Sequence, residues 1–150
     1  MNVGRGLVVD ASVAVKWHLR DEDHVEEARA LLERHVQGEV QLAAPAFIRC
    51  EIAQSLERAR RARRIPDDQV SLQLLSFLTL GIHARFDPDE LVISALRIAR
   101  LTGATTYDAM YLAHAEELGY QVVTSDQQLI QQASSYAVPT HHLSEVASLL

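Results

Sequence analysis

Four acidic residues in separate segments of the 150-residue chain are candidates for a common site: Asp10, Glu51, Asp108 and Asp126. Two carboxylates about 4 Å apart repel each other by about 4 kcal/mol at an effective dielectric constant of about 20. A cluster of four therefore requires protons, positive side chains or metal ions. Because all the ligand atoms are oxygens, the preferred cation is Mg²⁺ or Mn²⁺ rather than Zn²⁺. Metal ions held in this way suit the attack of water on a phosphodiester.

Each of these acids also has an ordinary structural interpretation. Two of them precede predicted helices and are suitable N-caps, and Thr105 with Asp108 forms the T-x-x-D spacing of a capping box. Glu51 lies at the edge of an apolar helix face, where a carboxylate needs water or a partner such as Arg58. One acid alone is weak evidence, so the site prediction depends on whether the fold gathers all four.

The predicted elements that must position these acids are short apolar strands alternating with helices. Strands are predicted at residues 6–10, 40–44, 82–86, 121–124 and 137–140. Helices are predicted at residues 11–19, 22–36, 47–64, 67–80, 88–101, 107–118, 127–133 and 143–150, with Asp67 or Asp68 as a cap for the fourth. This alternation predicts a mostly parallel sheet with helices on both faces. In such sheets, sites form beyond the carboxyl ends of the strands, where Asp10 and Asp126 lie.

Length and composition limit the class of protein. The chain fits one domain spanning residues 1–150, without repeats or low-complexity segments. Its single cysteine, Cys50, excludes an internal disulfide and a cysteine-based zinc site, and we expect it to be a buried small residue. No apolar run approaches the roughly 18 residues of a membrane span, and no signal-peptide pattern is evident, so we expect a cytoplasmic protein.

The charge of the chain argues against one class of nucleic-acid protein. A net charge of −6 disfavours binding through a general basic surface, but it does not exclude a nuclease whose acids hold metal ions. Five arginines crowd the end of the helix predicted at 47–64: Arg58, Arg60, Arg61, Arg63 and Arg64. They either form a solvated helix end that complements the helix dipole, or contact RNA phosphates or an acidic segment of a protein partner.

Aromatic and histidine side chains do not indicate a second site. Trp17, Tyr107 and Tyr111 are predicted to pack against other residues rather than to stack on bases. The seven histidines lack the H-E-x-x-H spacing of a zinc site, and none is assigned to a metal.

Four stretches around the acids resemble the PIN-domain family, and especially its VapC-like toxin ribonucleases of type II toxin-antitoxin systems. They read VVDASV at residues 8–13, PAFIRCEIA at 45–53, TYDAMYLA at 106–113 and VVTSDQQL at 122–129, and they span nearly the whole chain in order. The resemblance implies a three-layer α/β/α sandwich that cleaves RNA with Mg²⁺ or Mn²⁺. It places Asp10, Glu51, Asp108 and Asp126 at the acidic positions that bind the metal and carry catalysis.

The same resemblance assigns neighbours of the acids and partners of the protein. Ser12 and Thr124 match hydroxyl positions whose role would be to orient carboxylates or bound waters. Gln54 stands where relatives often carry asparagine, so the amide is kept but lies one methylene further from the backbone. VapC-like relatives are usually homodimers neutralised by a small antitoxin, which implies RNA, an antitoxin and a second copy of the chain as partners.

Other functions remain open at this point. A metal-dependent phosphatase with Asp10 as an aspartyl nucleophile would want an acid at position 12, where this chain has Ser12. A PIN-fold binding module without catalysis would not need four clustered acids, which destabilise a fold. A dinucleotide-binding fold is disfavoured because Gly4-x-Gly6 precedes the first predicted strand instead of following it.

Overall fold

A four-stranded sheet surrounded by helices forms the centre of the computed structural model, which describes residues 5–150. The strands are β1 (Arg5–Val9), β2 (Val40–Ala43), β3 (Gln121–Thr124) and β4 (Thr140–His142). Their order across the sheet is β2-β1-β3-β4, and every neighbouring pair is parallel. The predicted α/β architecture with a parallel sheet is therefore confirmed.

Eight α-helices flank this sheet within residues 5–150. They are α1 (Ala11–Ala14), α2 (Val25–Val36), α3 (Ile48–Arg61), α4 (Gln69–Thr79), α5 (Asp89–Thr102), α6 (Thr106–Leu118), α7 (Gln127–Ala133) and α8 (Val146–Leu149). The largest helix contacts join α5 with α6 and α3 with α4, and α6 also packs on β1 and β3. Within the described part of the chain, no helix has both the length and the hydropathy that crossing a bilayer requires.

The two central strands bring distant parts of the chain to one edge of the sheet. Val9 at the end of β1 is in register with Val123 of β3, and both side chains are fully buried. Continuous apolar runs of this kind are typical of parallel strands that are covered on both faces. The residue after Val9 is Asp10, whose N–H donates to the carbonyl of Val123. The chain therefore leaves β1 and β3 at neighbouring points of the same edge.

A side chain from a distant segment anchors the start of α3. The two oxygens of Asp87 accept hydrogen bonds from the N–H groups of Ala46 and Phe47, over 2.6 and 2.8 Å. These N–H groups have no partner within the helix, and a carboxylate also interacts favourably with the helix dipole there. The predicted apolar face of α3 is confirmed, because the following side chains are buried: Ile48, Ile52, Leu56 and Ala59. Glu51 lies beside that face.

The strand predicted at residues 82–86 does not form. A single bridge joins Ala44 to His83, and the segment pairs no further. The next N–H on that side of the chain, that of Ala46, donates to the carboxylate of Asp87 instead, so the pairing does not extend. The sheet of the described chain therefore has four strands rather than the five expected.

Several boundaries and one cap also differ from prediction; α3, for example, ends at Arg61 instead of residue 64. The last strand starts at Thr140 instead of residue 137, because Pro139 has no N–H to donate to the ladder. Helix α2 starts at Val25 instead of residue 22, because His24 has a φ of 58°, outside the helical region. Asp68 occupies the N-cap of α4, but its side chain makes no capping hydrogen bond.

Candidate functional site

Asp10 is a buried carboxylate whose two oxygens are both hydrogen-bonded. The residue caps α1 and is only 5% exposed. Its Oδ1 accepts from the N–H of Ser12 over 2.9 Å and from the hydroxyl of Ser12 over 2.5 Å. Its Oδ2 accepts from the hydroxyl of Thr124 over 2.6 Å. The positions of both oxygens are therefore fixed by two hydroxyl groups, one of which comes from β3.

The same two hydroxyls tie together the chain beyond the two central strands. The N–H of Ser125 donates to Oγ of Ser12 over 2.8 Å, and the N–H of Asp126 donates to Oγ1 of Thr124 over 3.0 Å. Each hydroxyl thus donates to Asp10 and accepts from the backbone after β3. The orienting role predicted for Ser12 and Thr124 agrees with these contacts.

Burial dominates the protonation of Asp10. Desolvation raises the pKa of this carboxyl from 3.8 to about 6, although the hydrogen bonds from Ser12 and Thr124 oppose the rise. The negative charge of Asp108 raises it further. Near neutral pH the group is ionised at a substantial cost, which a cation bound beside it would remove.

Glu51 approaches the same region from α3. Its Oε1 accepts a 2.7 Å hydrogen bond from the hydroxyl of Tyr111, a buried residue of α6. Desolvation raises the pKa of Glu51, and the charges of Asp10 and Asp108 raise it further, whereas the Tyr111 hydroxyl lowers it. Burial and the nearby carboxylates raise the pKa of Tyr111 well above its usual value, so this hydroxyl remains a donor.

The other two acids lie at the starts of helices, where Thr105 caps α6 and Asp126 caps α7. The N–H of Asp108 donates to the hydroxyl of Thr105 over 3.1 Å at the start of α6. Asp126 caps α7, and its Oδ1 accepts from the N–H groups of Gln128 and Leu129. Partial burial raises the pKa of Asp108, and the charge of Asp126 raises it further. Both acids therefore combine a structural role with electrostatic coupling.

Like-charge repulsion connects all four acids in one chain of neighbours. Asp126 raises the pKa of Asp108, Asp108 raises those of Asp10 and Glu51, and Asp10 also raises that of Glu51. Within residues 5–150, none of the four forms an ion pair with a basic side chain. The fold therefore gathers negative charge at this edge without supplying a positive partner.

The donor set suits a hard cation that keeps part of its water shell. No three metal-ligating side chains in residues 5–150 lie close enough together to enclose an ion. Mg²⁺ characteristically takes only one or two carboxylates directly and retains several waters. The buried carboxylate of Asp10, with Asp108 and Glu51 beside it, has the oxygen chemistry and the excess negative charge that such binding needs.

A cavity of about 670 Å³, here called the α3–α6 groove, opens beside two of the acids. It is lined by Phe47, Cys50, Glu51, Gln54, Ser55, Arg58, Thr105, Tyr107 and Asp108. Gln54 thus faces the groove close to Glu51, consistent with the neighbouring position predicted for it. One prediction is wrong here, because Cys50 is exposed instead of buried. Tyr107 packs against Phe47 but remains 65% exposed.

The arginines at the end of α3 differ in their partners. Arg60 and Arg61 bind the carboxylate of Glu57, and Arg60 also contacts Asp67. The guanidinium of Arg64 contacts Asp21 and Glu22 at 2.7 and 2.6 Å. Arg58 has no ion pair in the described chain and lines the groove instead. Of the arginines predicted to contact RNA or a partner, Arg58 alone lines this groove.

Two functional contacts escaped the sequence analysis. The hydrogen bond from Tyr111 to Glu51 joins α6 to α3, and the only local signal is that Tyr111 lies one helical turn after Asp108. Asp87 precedes α5 but anchors the start of α3, and no local pattern indicates this.

Comparisons with known proteins agree with this fold. A family model described as the PIN domain matches residues 7–135. Ribonuclease VapC3 from Pyrobaculum aerophilum is 29% identical over 137 residues, which cover 89% of this chain and 98% of that protein. The crystal structure of PAE2754, also from Pyrobaculum aerophilum, has a TM-score of 0.70 at 21% identity and covers 97% of this chain and 96% of its own. A toxin-antitoxin complex from Klebsiella pneumoniae has a chain with a TM-score of 0.59 at 13% identity, covering 87% of this chain and 92% of its own.

Proposed function

This chain belongs to the PIN-domain family, and from that membership we propose that it is a ribonuclease that hydrolyses RNA phosphodiesters with Mg²⁺ or Mn²⁺. The relative named Ribonuclease VapC3, 29% identical over most of both chains, supports the activity. The observation that carries the proposal is the buried carboxylate of Asp10, oriented by two hydroxyls and coupled to Asp108 and Glu51 without a positive partner in the described chain. A carboxylate that only caps a helix does not need to be buried beside other negative charges.

Asp10 and Asp108 are the residues that would hold the cation, with Asp126 and Glu51 completing the site. A bound divalent cation lowers the pKa of a coordinated water and stabilises negative charge on a phosphodiester oxygen. Ser12 and Thr124 keep the two oxygens of Asp10 in place, so the carboxylate does not have to be ordered when its ligands bind. A cation bound beside Asp10 would offset the free-energy cost of ionising this buried carboxyl.

Glu51 has a separate role in this proposal. The hydroxyl of Tyr111 fixes Oε1 and thereby turns the carboxylate toward the α3–α6 groove. Burial and the neighbouring acids raise the pKa of Glu51, which makes it a better proton acceptor than an exposed glutamate. In this position Glu51 can receive the proton of the attacking water.

We further propose that the protein is the toxin of a toxin-antitoxin pair, acts in the cytoplasm as a homodimer, and consists of one domain over residues 1–150. The toxin-antitoxin complex from Klebsiella pneumoniae among its structural relatives supports the antitoxin partner. The continuous hydrophobic core, which extends from Leu7 of β1 to Val146 of α8, supports a single domain.

A digest of total tRNA and rRNA with Mn²⁺ tests the nuclease directly. Wild-type protein, freed of any bound inhibitor, is compared with Asp10→Asn and with Asp23→Asn, which changes an exposed acid outside the site. We expect cleavage by the wild type and by Asp23→Asn, and a loss of at least about 100-fold in Asp10→Asn. Phosphomonoesters are tested as a second substrate. Their hydrolysis would favour a phosphatase over a ribonuclease.

The proposal fails if the wild type, folded and free of inhibitor, cuts no RNA with either metal. It also fails if Asp10→Asn cuts as fast as the wild type, since the buried carboxylate would then have no part in the reaction. Calorimetry with Mn²⁺ separates an inactive nuclease from a PIN-fold binding module, for which we expect no heat of metal binding at this site.

A further inference from the structure

An aromatic pair of the exposed Tyr107 and the half-buried Phe47 lies at one end of the α3–α6 groove. The rings of Phe47 and Tyr107 are stacked, with centroids 5.4 Å apart and planes inclined by 18°. Tyr107 is 65% exposed, and both residues line the groove together with Glu51 and Asp108. Because Phe47 covers one face of the Tyr107 ring, the opposite face is open to solvent.

The groove has an ordered sequence of chemical groups along α3. Phe47, Glu51, Gln54 and Arg58 are spaced by four, three and four residues, so they share one side of the helix. From the rise per residue, Arg58 lies about 10 Å along the axis from Glu51. Tyr107 immediately precedes Asp108 on α6. The acids therefore lie between an aromatic surface and a guanidinium.

Electrostatics cannot supply much of the affinity for a nucleic acid here. The chain has a net charge of −6, and the guanidinium groups of Arg60, Arg61 and Arg64 are already bound to carboxylates. Affinity from phosphate contacts requires many free cations, whereas the groove offers Arg58 alone. Stacking of a base on an aromatic ring is the other common source of affinity, and it does not depend on charge.

Resting on the nuclease function proposed above, we propose that Tyr107, supported by Phe47, is the platform on which an unpaired nucleobase stacks next to the phosphate that is cut. Arg58 contacts a phosphate at the other end of the groove. The base that stacks on Tyr107 must be unpaired, because the bases of an A-form duplex are already stacked and cannot present a free face.

Binding of a fluorescent RNA tests the platform without cleavage. A short single-stranded RNA carrying 2-aminopurine is titrated into the Asp10→Asn protein, in which stacking of the probe quenches its fluorescence. Adding Tyr107→Leu should weaken binding by about 5- to 100-fold, the range that one base–aromatic stack provides, and should abolish the quench. Tyr107→Phe keeps the ring and should bind within about twofold of the parent.

Phe86→Leu is the matched control, because Phe86 is 72% exposed and lies outside the groove lining. It should leave the quench unchanged. In the otherwise wild-type protein with Mn²⁺, Tyr107→Leu should raise KM for single-stranded RNA by a larger factor than it lowers kcat. A duplex of the same sequence should bind at least about tenfold more weakly than the single strand.

The outcomes separate this inference from the proposed function. If the wild type cleaves RNA and Tyr107→Leu changes neither KM nor the quench, the platform is overturned but the nuclease is not. A Tyr107-dependent quench in a protein that cuts no RNA supports the platform and contradicts the nuclease. Equal binding of duplex and single strand overturns the inference. The inference is also overturned if Tyr107→Leu binds RNA normally but no longer co-purifies with a protein partner.

Discussion

The hydroxyl of Thr124 donates a 2.6 Å hydrogen bond to Oδ2 of Asp10, although the two residues are 114 positions apart in the chain. The same oxygen of Thr124 accepts the N–H of Asp126 over 3.0 Å. One buried hydroxyl therefore orients a candidate catalytic carboxylate and also satisfies the backbone that leads into α7.

Thr124→Val tests this contact. It keeps the side-chain shape but leaves Oδ2 of Asp10 without its donor and the N–H of Asp126 without its acceptor. Two buried polar groups would lose a partner, so we expect a loss of about 1–3 kcal/mol in the free energy of unfolding, measured by urea denaturation. RNA cleavage should fall by about 10- to 100-fold. Thr124→Ser restores the hydroxyl and should recover most of both losses; equal defects in the two variants would contradict the hydrogen-bond explanation.

Asp10→Asn should stabilise the metal-free protein while removing its activity. Burial raises the pKa of Asp10 from 3.8 to about 6, and this difference corresponds to a cost of about 3 kcal/mol for the ionised group at pH 7.5. Asparagine removes the charge but keeps an oxygen that can accept from Ser12. We expect a gain of about 1–3 kcal/mol in urea denaturation with EDTA present. A variant less stable than the wild type would indicate that the neutral amide cannot replace the hydrogen bonds.

The pH dependence of stability follows from the same pKa. Between about pH 4 and pH 6, the folded protein retains a proton on Asp10 that the unfolded chain releases. The contribution of Asp10 to the free energy of unfolding therefore falls as the pH rises through this range and is constant above it. The stability difference between Asp10→Asn and wild type should grow from near zero at pH 4 to its full value at pH 7, measured without metal. A difference that is constant over this range would contradict the raised pKa.

Metal binding should reverse this electrostatic cost. Mn²⁺ at about 100 times its dissociation constant stabilises a protein that binds it only when folded by about 2.7 kcal/mol. We expect a rise in Tm of the wild type with Mn²⁺ and a much smaller rise in Asp10→Asn and Asp108→Asn. Asp23→Asn, at an exposed position outside the site, should respond like the wild type. An equal response of all four proteins would place the metal elsewhere.

Tyr111→Phe removes the donor that fixes Oε1 of Glu51. The pKa of Glu51 should rise further, because this hydrogen bond lowers it against the effect of burial. Cleavage should fall by about tenfold, and the fall should be larger at pH 6 than at pH 8. Tyr120→Phe is the matched control, since that hydroxyl donates to Gln41 instead. Equal losses in both variants would mean that the effect is not specific to Glu51.

Much of the fold could be predicted because the apolar patterns are local. β3 and α7 match their predicted ranges, and β1 and β2 match within one residue at each end. The strand expected at residues 82–86 fails for a reason outside the segment itself. The next donor beyond its partner Ala44 is the N–H of Ala46, which binds the side chain of Asp87 instead, and no local pattern indicates this.

The candidate site was predictable as a set of residues but not as a set of contacts. The positions beyond the strand ends led to Asp10 and Asp126, and the family resemblance added Ser12, Thr124 and Gln54. That these residues form a catalytic site is still a prediction. Exposure along α3 depends on which elements cover it. The groove is open in the described part of the chain, so Cys50 is exposed although its residue type suggested burial.

The long separation between Asp10 and Thr124 has a consequence for biosynthesis. A growing polypeptide carries Asp10 and Glu51 early, but one of the two hydroxyls that orient Asp10 comes from β3, which is synthesised much later. Until β3 has left the ribosome and paired with β1, the oxygens of Asp10 are not held in place. The order of synthesis therefore delays assembly of the candidate site until residues 121–124 have been made.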